Sequence, residues 1–301
     1  MNTFGRHNAS GNGDDRVIRF RQPFSEKYTL TITTDILAGY FPIKTKAQIR
    51  WALRVINVND YGHAEIELIT IESRLIETNN PNFNELAALN QAFARMYSEI
   101  HVKLDPRGKL LEVVNLPVIL SKWEQTKSEM QSIEKEAPAL QGIIQLNDDI
   151  FAKPEKVKLA IEHNEFFNIY FHLIYGEELP TKGLRRKHRN LFNSADVIWQ
   201  YFAEADPDSL DEGVFTDVEI RGMPIGIMPE EWINEAYGRF DIAGLPKLNP
   251  QLMEKGNYRF VSASGRLLKA TLVKEEIAHP DFIRGKMIYK LKGDNDLEPY
   301  G

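Results

Sequence analysis

Apolar and polar positions alternate along the first third of the chain. Between Lys46 and Glu77, Ile49, Trp51, Leu53 and Val55 alternate with Gln48, Arg50 and Arg54, the two-residue period of a half-buried strand. Asn59-Asp60-Tyr61-Gly62 is turn chemistry. Closing that turn by pairing Asn59 with Gly62 sets Val55 opposite Ile66, Leu53 opposite Leu68, Trp51 opposite Thr70 and Arg54 opposite Glu67. A single register thus makes one face apolar and places an opposite-charge pair, worth ~0.2–1 kcal/mol, on the other. Upstream, Tyr28, Leu30 and Ile32 predict a neighbouring strand joined through Gly39-Tyr40-Phe41-Pro42.

The period then lengthens. Asn82 with Glu85 has the spacing of a capping box, and Phe83, Leu86, Phe93 and Tyr97 predict a helix behind it. Ile100, Val102 and Leu104 lead into Asp105-Pro106-Arg107-Gly108, suited to a type I turn, and Leu111 and Val113 complete a second hairpin in which His101 faces Glu112. Asn115 is placed to cap a helix with Pro117 in its first turn. Its apolar stripe is Leu116, Ile119, Leu120, Trp123, Met130 and Ile133, ending near Pro138. From Leu140 to Leu179 the pattern is helical, with Pro154 as a new start and Gly176 as a stop.

Beyond Pro180, Thr181 to Arg189 is basic and Asp206 to Asp217 acidic, which predicts a long connection carrying short strands at Val197–Phe202 and Val214–Ile220. Tyr258–Val261, a turn at Ser262-Ala263-Ser264-Gly265, Leu267–Ile277, a connection at His279-Pro280-Asp281 and Phe282–Leu291 then predict an antiparallel meander. The expected organisation is a disordered tail over 1–15, an N-terminal α+β domain over 16–179, a connecting segment over 180–213 and a β-rich C-terminal part over 214–301. That last part is either separate or a continuation of the first. The fold class is α+β: an antiparallel, curved sheet packed against amphipathic helices. This order of long strands and covering helices is similar to that of bacterial half-barrel carriers of lipids and lipoproteins. The similarity is one of pattern, without a diagnostic motif.

Composition narrows the chemistry. The chain has 301 residues, 43% hydrophobic and 27% charged, an ordinary globular balance. It contains no cysteine, so disulfides, thiolate nucleophiles, iron–sulfur clusters and cysteine-bound zinc are excluded. A net charge of −6 gives no global attraction for nucleic acid, and none is expected as a partner. Residues 1–15 lack the apolar run of a secretory signal, so a soluble, cytoplasmic chain without a transmembrane segment is expected. Neither phosphate-binding glycine motif, G-x-x-x-x-G-K-[ST] or G-x-G-x-x-G, occurs, nor does G-x-S-x-G or H-E-x-x-H, and no cofactor is expected. Asp206 to Gly213 superficially matches a calcium loop, but Leu210 would fall at position five and Asp211 at six, so no metal is expected. His163 and His172 lie about 900° apart on an unbroken helix and would face opposite sides.

Two groups of residues stand out. Phe166, Phe167, Tyr170, Phe171 and Tyr175 cover most of a helix circumference and want burial on several sides. With the sheet face they define Trp51, Trp123, Phe167 and Tyr170 as candidate ligand contacts. Lys182, Arg185, Arg186, Lys187 and Arg189 form the dense basic run, with Arg185 and Arg186 as candidate partner contacts. The leading reading is a non-enzymatic binding protein using a concave apolar sheet–helix surface for an apolar small molecule or protein partner. One alternative is an enzyme assembled from distant acid–base groups, with Glu162, His163 and Glu165 as candidates. Another is an assembly component acting through Thr181 to Asp217.

Overall fold

A computed structural model describes residues 16–83, 91, 94–133, 139–212, 214–240 and 248–294. Eleven strands form one antiparallel sheet: β1 (Phe24–Ala38), β2 (Phe41–Val58), β3 (Ala64–Thr78), β4 (Glu99–Leu104), β5 (Leu110–Val113), β6 (Leu184–Arg189), β7 (Asp196–Ala205), β8 (Phe215–Pro224), β9 (Gln251–Val261), β10 (Arg266–His279) and β11 (Ile283–Gly293). Their order is β5-β4-β3-β2-β1-β11-β10-β9-β8-β7-β6, so the sheet is open, with β5 and β6 as its edges. The helices are α1 (Leu116–Ile133), α2 (Ala139–Phe151), α3 (Pro154–Glu162), α4 (Glu165–Tyr170), α5 (Pro207–Glu212) and α6 (Glu230–Tyr237).

The β2–β3 register is the expected one. Val55 pairs with Ile66, Leu53 with Leu68 and Trp51 with Thr70, and Arg54 lies 3.6 Å from Glu67 on the opposite face. The turn is one residue longer than expected: Asn59 N–H donates to the His63 carbonyl, and a bulge between Val55 and Asn57 absorbs the extra residue. β1 joins β2 with Tyr28 opposite Trp51 and Leu30 opposite Ile49. The C-terminal meander also forms, β9, β10 and β11 pairing in sequence.

Several expectations are corrected. In the second hairpin Glu112 pairs with Lys103, 2.7 Å away, because the turn closes one residue later than expected, between Asp105 and Lys109, and the register shifts once more between Lys103 and Leu104; the His101 ring instead meets Glu65 of β3 at 2.7 Å. The Asn115 side chain does not cap α1: its Oδ1 accepts from His101 N–H and its amide donates to the Glu99 carbonyl, tying the helix entrance to β4. The helical run after Leu140 ends at Tyr170, and the break between α3 and α4 falls at His163, so the half-turn argument for His163 and His172 does not apply. The basic run is not a loop but edge strand β6, and residues 180–213 carry β6, β7 and α5. The strands on both sides of that segment belong to the same sheet. Most of the helix expected after Asn82, including Leu86 and Phe93, and the tail over 1–15 lie outside the described residues.

One short segment shows that the sheet curves. A Cβ on Gly108, in the β4–β5 turn, would lie 2.3 Å from the Phe171 ring, while the adjacent His172 packs against Tyr201 of β7 and Tyr258 of β9. On a flat sheet β4 and β9 would be about 29 Å apart, at ~4.8 Å per strand. Neighbouring residues can touch both only if the sheet folds around them. The inward side chains, among them Tyr28, Leu30, Trp51, Leu53, Ile66 and Val102, form with Trp123, Ile161, Phe166 and Tyr170 one continuous buried core.

The N-terminal approach to β1 is fixed at the β9–β10 turn. Gly265 has φ +68°, and a Cβ there would fall 1.8 Å from the Arg19 carbonyl oxygen. Gly265→Ala therefore combines backbone strain with a main-chain collision, and chemical denaturation should register a loss of about 2–4 kcal/mol. An unchanged midpoint would contradict this packing.

Candidate functional site

The inward face of β1–β3 and the helical layer leave a cleft of about 530 Å³ between them. Ile32, Ala47, Ile49 and Trp51 form its sheet wall, and Tyr97 and Ile150 stand across from them. These sheet residues lie in the inward rows because the two-residue period sends every second side chain to one face. Asn164 and Glu165, at the start of α4, add polar groups to the lining. The arrangement offers mainly dispersion contacts and apolar burial, with polar groups to orient what enters.

The four candidate ligand contacts divide. Trp51 lines this cleft, its ring edge-on to Phe166 at 5.4 Å between centroids. Trp123 lies elsewhere in the core, stacked on Phe151 at 5.2 Å, with its indole N–H donating to Asp148. Phe167 packs against Phe166 and Phe171. The Tyr170 hydroxyl accepts the Leu267 N–H and Tyr28 donates to the Leu267 carbonyl, so the two phenols hold the β10 backbone beside its bulge. Burial raises the pKa of both hydroxyls. Sequence reasoning identified the Ile49–Trp51 face but missed the opposing Tyr97 and Ile150.

Arg185 and Arg186 lie on β6, opposite Gln200 and Trp199, and both are exposed. Alternation sends Arg186 to the inward side and Arg185 outward. The run is neutralised in part by Asp196, 2.9 Å from Lys187 and 3.4 Å from Arg189. The acidic stretch is engaged elsewhere: Asp217 makes a two-pronged contact with Arg259, both bonds 2.8 Å. Glu162 accepts from Leu110 N–H, while His163 and Glu165 are exposed, and the structure shows no hydrogen bond joining the three.

A different polar cluster stands on the inward face. Tyr201 of β7, Gly222 of β8, Glu254 of β9 and Lys274 of β10 occupy one transverse row of paired residues. A Cβ on Gly222 would strike the Tyr201 ring at 2.4 Å, so the glycine lets the phenol lie across β8 and donate to Glu254 at 2.9 Å. Lys274 donates to the other carboxylate oxygen at 3.0 Å, and His188 Nε2 lies 2.5 Å from the Tyr201 oxygen. Burial works to raise the Glu254 pKa, but Lys274, His172 and His188 together hold it below the ordinary carboxylate range. Burial lowers His188 despite Glu254 beside it. It lowers His172 further, to about 4, leaving that ring neutral near pH 7. His172 Nε2, Trp199 Nε1 and the Tyr258 hydroxyl are buried without a hydrogen-bond partner.

Among the described residues no group of three or more His, Cys, Asp or Glu side chains could hold a metal ion, and no helix is long and apolar enough to cross a membrane. No family model matches the chain, and no curated protein matches it. Among solved structures, one described as lipid–protein interactions in lipovitellin is similar over 92% of this chain and 25% of its own, at 6% identity and a TM-score of 0.41.

Proposed function

We propose that the protein is a non-enzymatic binding protein that takes a hydrophobic small molecule into the cleft between β1–β3 and the helices. The observation carrying this reading is the cleft itself: about 530 Å³ walled by Ile32, Ala47, Ile49 and Trp51 on one side and by Tyr97 and Ile150 on the other. That volume lies within the ~300–1,000 Å³ of small-molecule sites, which are concave and mostly apolar with few polar groups. Each methylene transferred from water into such surroundings contributes ~0.8 kcal/mol, so a short alkyl chain gains useful affinity without any catalytic group.

Titration with a hydrophobic fluorescent probe tests the reading. Saturable binding is expected, and Ala47→Phe, which fills the sheet wall, should weaken it at least about tenfold, equivalent to ~1.4 kcal/mol. The thermal transition, followed in parallel, separates loss of the cleft from loss of the fold. Absence of saturable binding, or equal affinity in a folded Ala47→Phe variant, rejects the proposal.

A further inference from the structure

The inward face of the sheet continues past the cleft, across β1 to β11 and β10. Thr45, part of the lining, pairs with Thr34 of β1, Thr34 with Met287 of β11, and Met287 with Lys274 of β10. Three strand steps, about 14 Å at ~4.8 Å each, therefore separate the apolar cleft from the polar cluster along one row. Thr34, Met287 and Lys274 are all incompletely buried, and the Lys274 side chain keeps 29% of its exposure. One row along, Tyr289 pairs with Ile32 of the cleft. Burial raises its pKa to about 12, with Glu165 from the cleft lining and Glu254 from the cluster both adding to the rise, so this phenol stands between the two.

We infer that the ligand is an amphiphile with an acidic head group, its chain in the cleft and its head on Lys274. The inference rests on the apolar-cleft reading. Lys274 carries three N–H donors and the bond to Glu254 uses one. Glu254 already accepts from Lys274 and Tyr201, and a cationic head placed beside it meets the Lys274 ammonium. A neutral alcohol gains only an ordinary hydrogen bond, whereas a carboxylate or phosphate gains a charge-assisted one.

Decanoate, decyl phosphate and decanol share one chain, and calorimetric titration of the native protein with each, below micelle-forming concentrations, isolates the head group. One or both acids should bind at least tenfold more tightly than the alcohol, and whichever acid binds better identifies a carboxylate or a phosphate head. Lys274→Met alone would strand a buried carboxylate, so the variant is Lys274→Met with Glu254→Gln. It should still bind decanol, weakened by no more than the one ordinary hydrogen bond, and lose the preference for the acids. Equal affinity of the native protein for all three, or a preference that survives in the double variant, overturns the inference and leaves the cleft standing. Failure of all three to bind overturns the cleft reading too.

Discussion

Glu276→Ala should lower the free energy of unfolding by about 3–5 kcal/mol, read as a fall in the denaturant midpoint at unchanged slope. The carboxylate lies on the inward face of β10 and is almost wholly buried. It accepts from the Asn190 amide at 2.8 Å, the Leu191 N–H at 2.7 Å and the Tyr237 hydroxyl at 2.7 Å. These donors come from the β6–β7 turn and from α6, so one side chain fastens two separate segments to the sheet. Burial raises its pKa even against the three donors. Truncation leaves three buried donors without an acceptor, each costing roughly 1–3 kcal/mol. Gly285, opposite Glu276, clears the space that Leu191 enters: a Cβ there would lie 2.1 Å from Leu191 Cδ2. Glu276→Gln retains an acceptor and should lose less than the alanine variant. Equal stability of Glu276→Ala and the native protein would show that the turn and α6 are held by other contacts.

The second large effect is acid lability with its source in the core. Burial holds His172 at about 4 in the folded protein, against 6.5 for a free histidine. Between those values the unfolded chain binds a proton that the folded one refuses, so stability is fully present above pH 6.5 and declines as the pH falls toward 4. The shift corresponds to about 3 kcal/mol. Glu254, held below its ordinary value, adds a further loss at lower pH, as its ion pair with Lys274 is protonated. Denaturation midpoints measured from pH 7.5 to 4 should slope accordingly, and His172→Phe should flatten the slope over that interval. A slope unchanged by the substitution would place the titrating group elsewhere.

The β2–β3 register was legible because two independent signals, the two-residue period and the turn residues, agree on one pairing. The longer turn and its compensating bulge were not, since they cancel and leave the same partners opposite. β6 escaped notice for a physical reason: Leu-Arg-Arg-Lys-His-Arg shows little alternation because an edge strand buries little and is shielded by charge. Gly108-Lys109-Leu110-Leu111 and Gly265-Arg266-Leu267-Leu268 agree at three of four positions, and the agreement has a local explanation. Both glycines follow hairpin turns with positive φ, +74° and +68°, and both admit a close neighbour, so shared turn geometry accounts for the match without a repeat. The cleft was half legible, through its sheet wall. The Glu254 cluster was not, because Tyr201, Glu254 and Lys274 become neighbours only through strand register. Extending the β9 period back to Leu252 would have exposed a carboxylate at an inward position.

The stretch from Phe171 to Gly176 runs between the two arms of the curved sheet, meeting the β4–β5 turn on one side and β7 and β9 on the other. It works as a crossbar in a trough. Girth is therefore set by the length of that bar and not by the strands, whose unjoined rims would otherwise be free to spread.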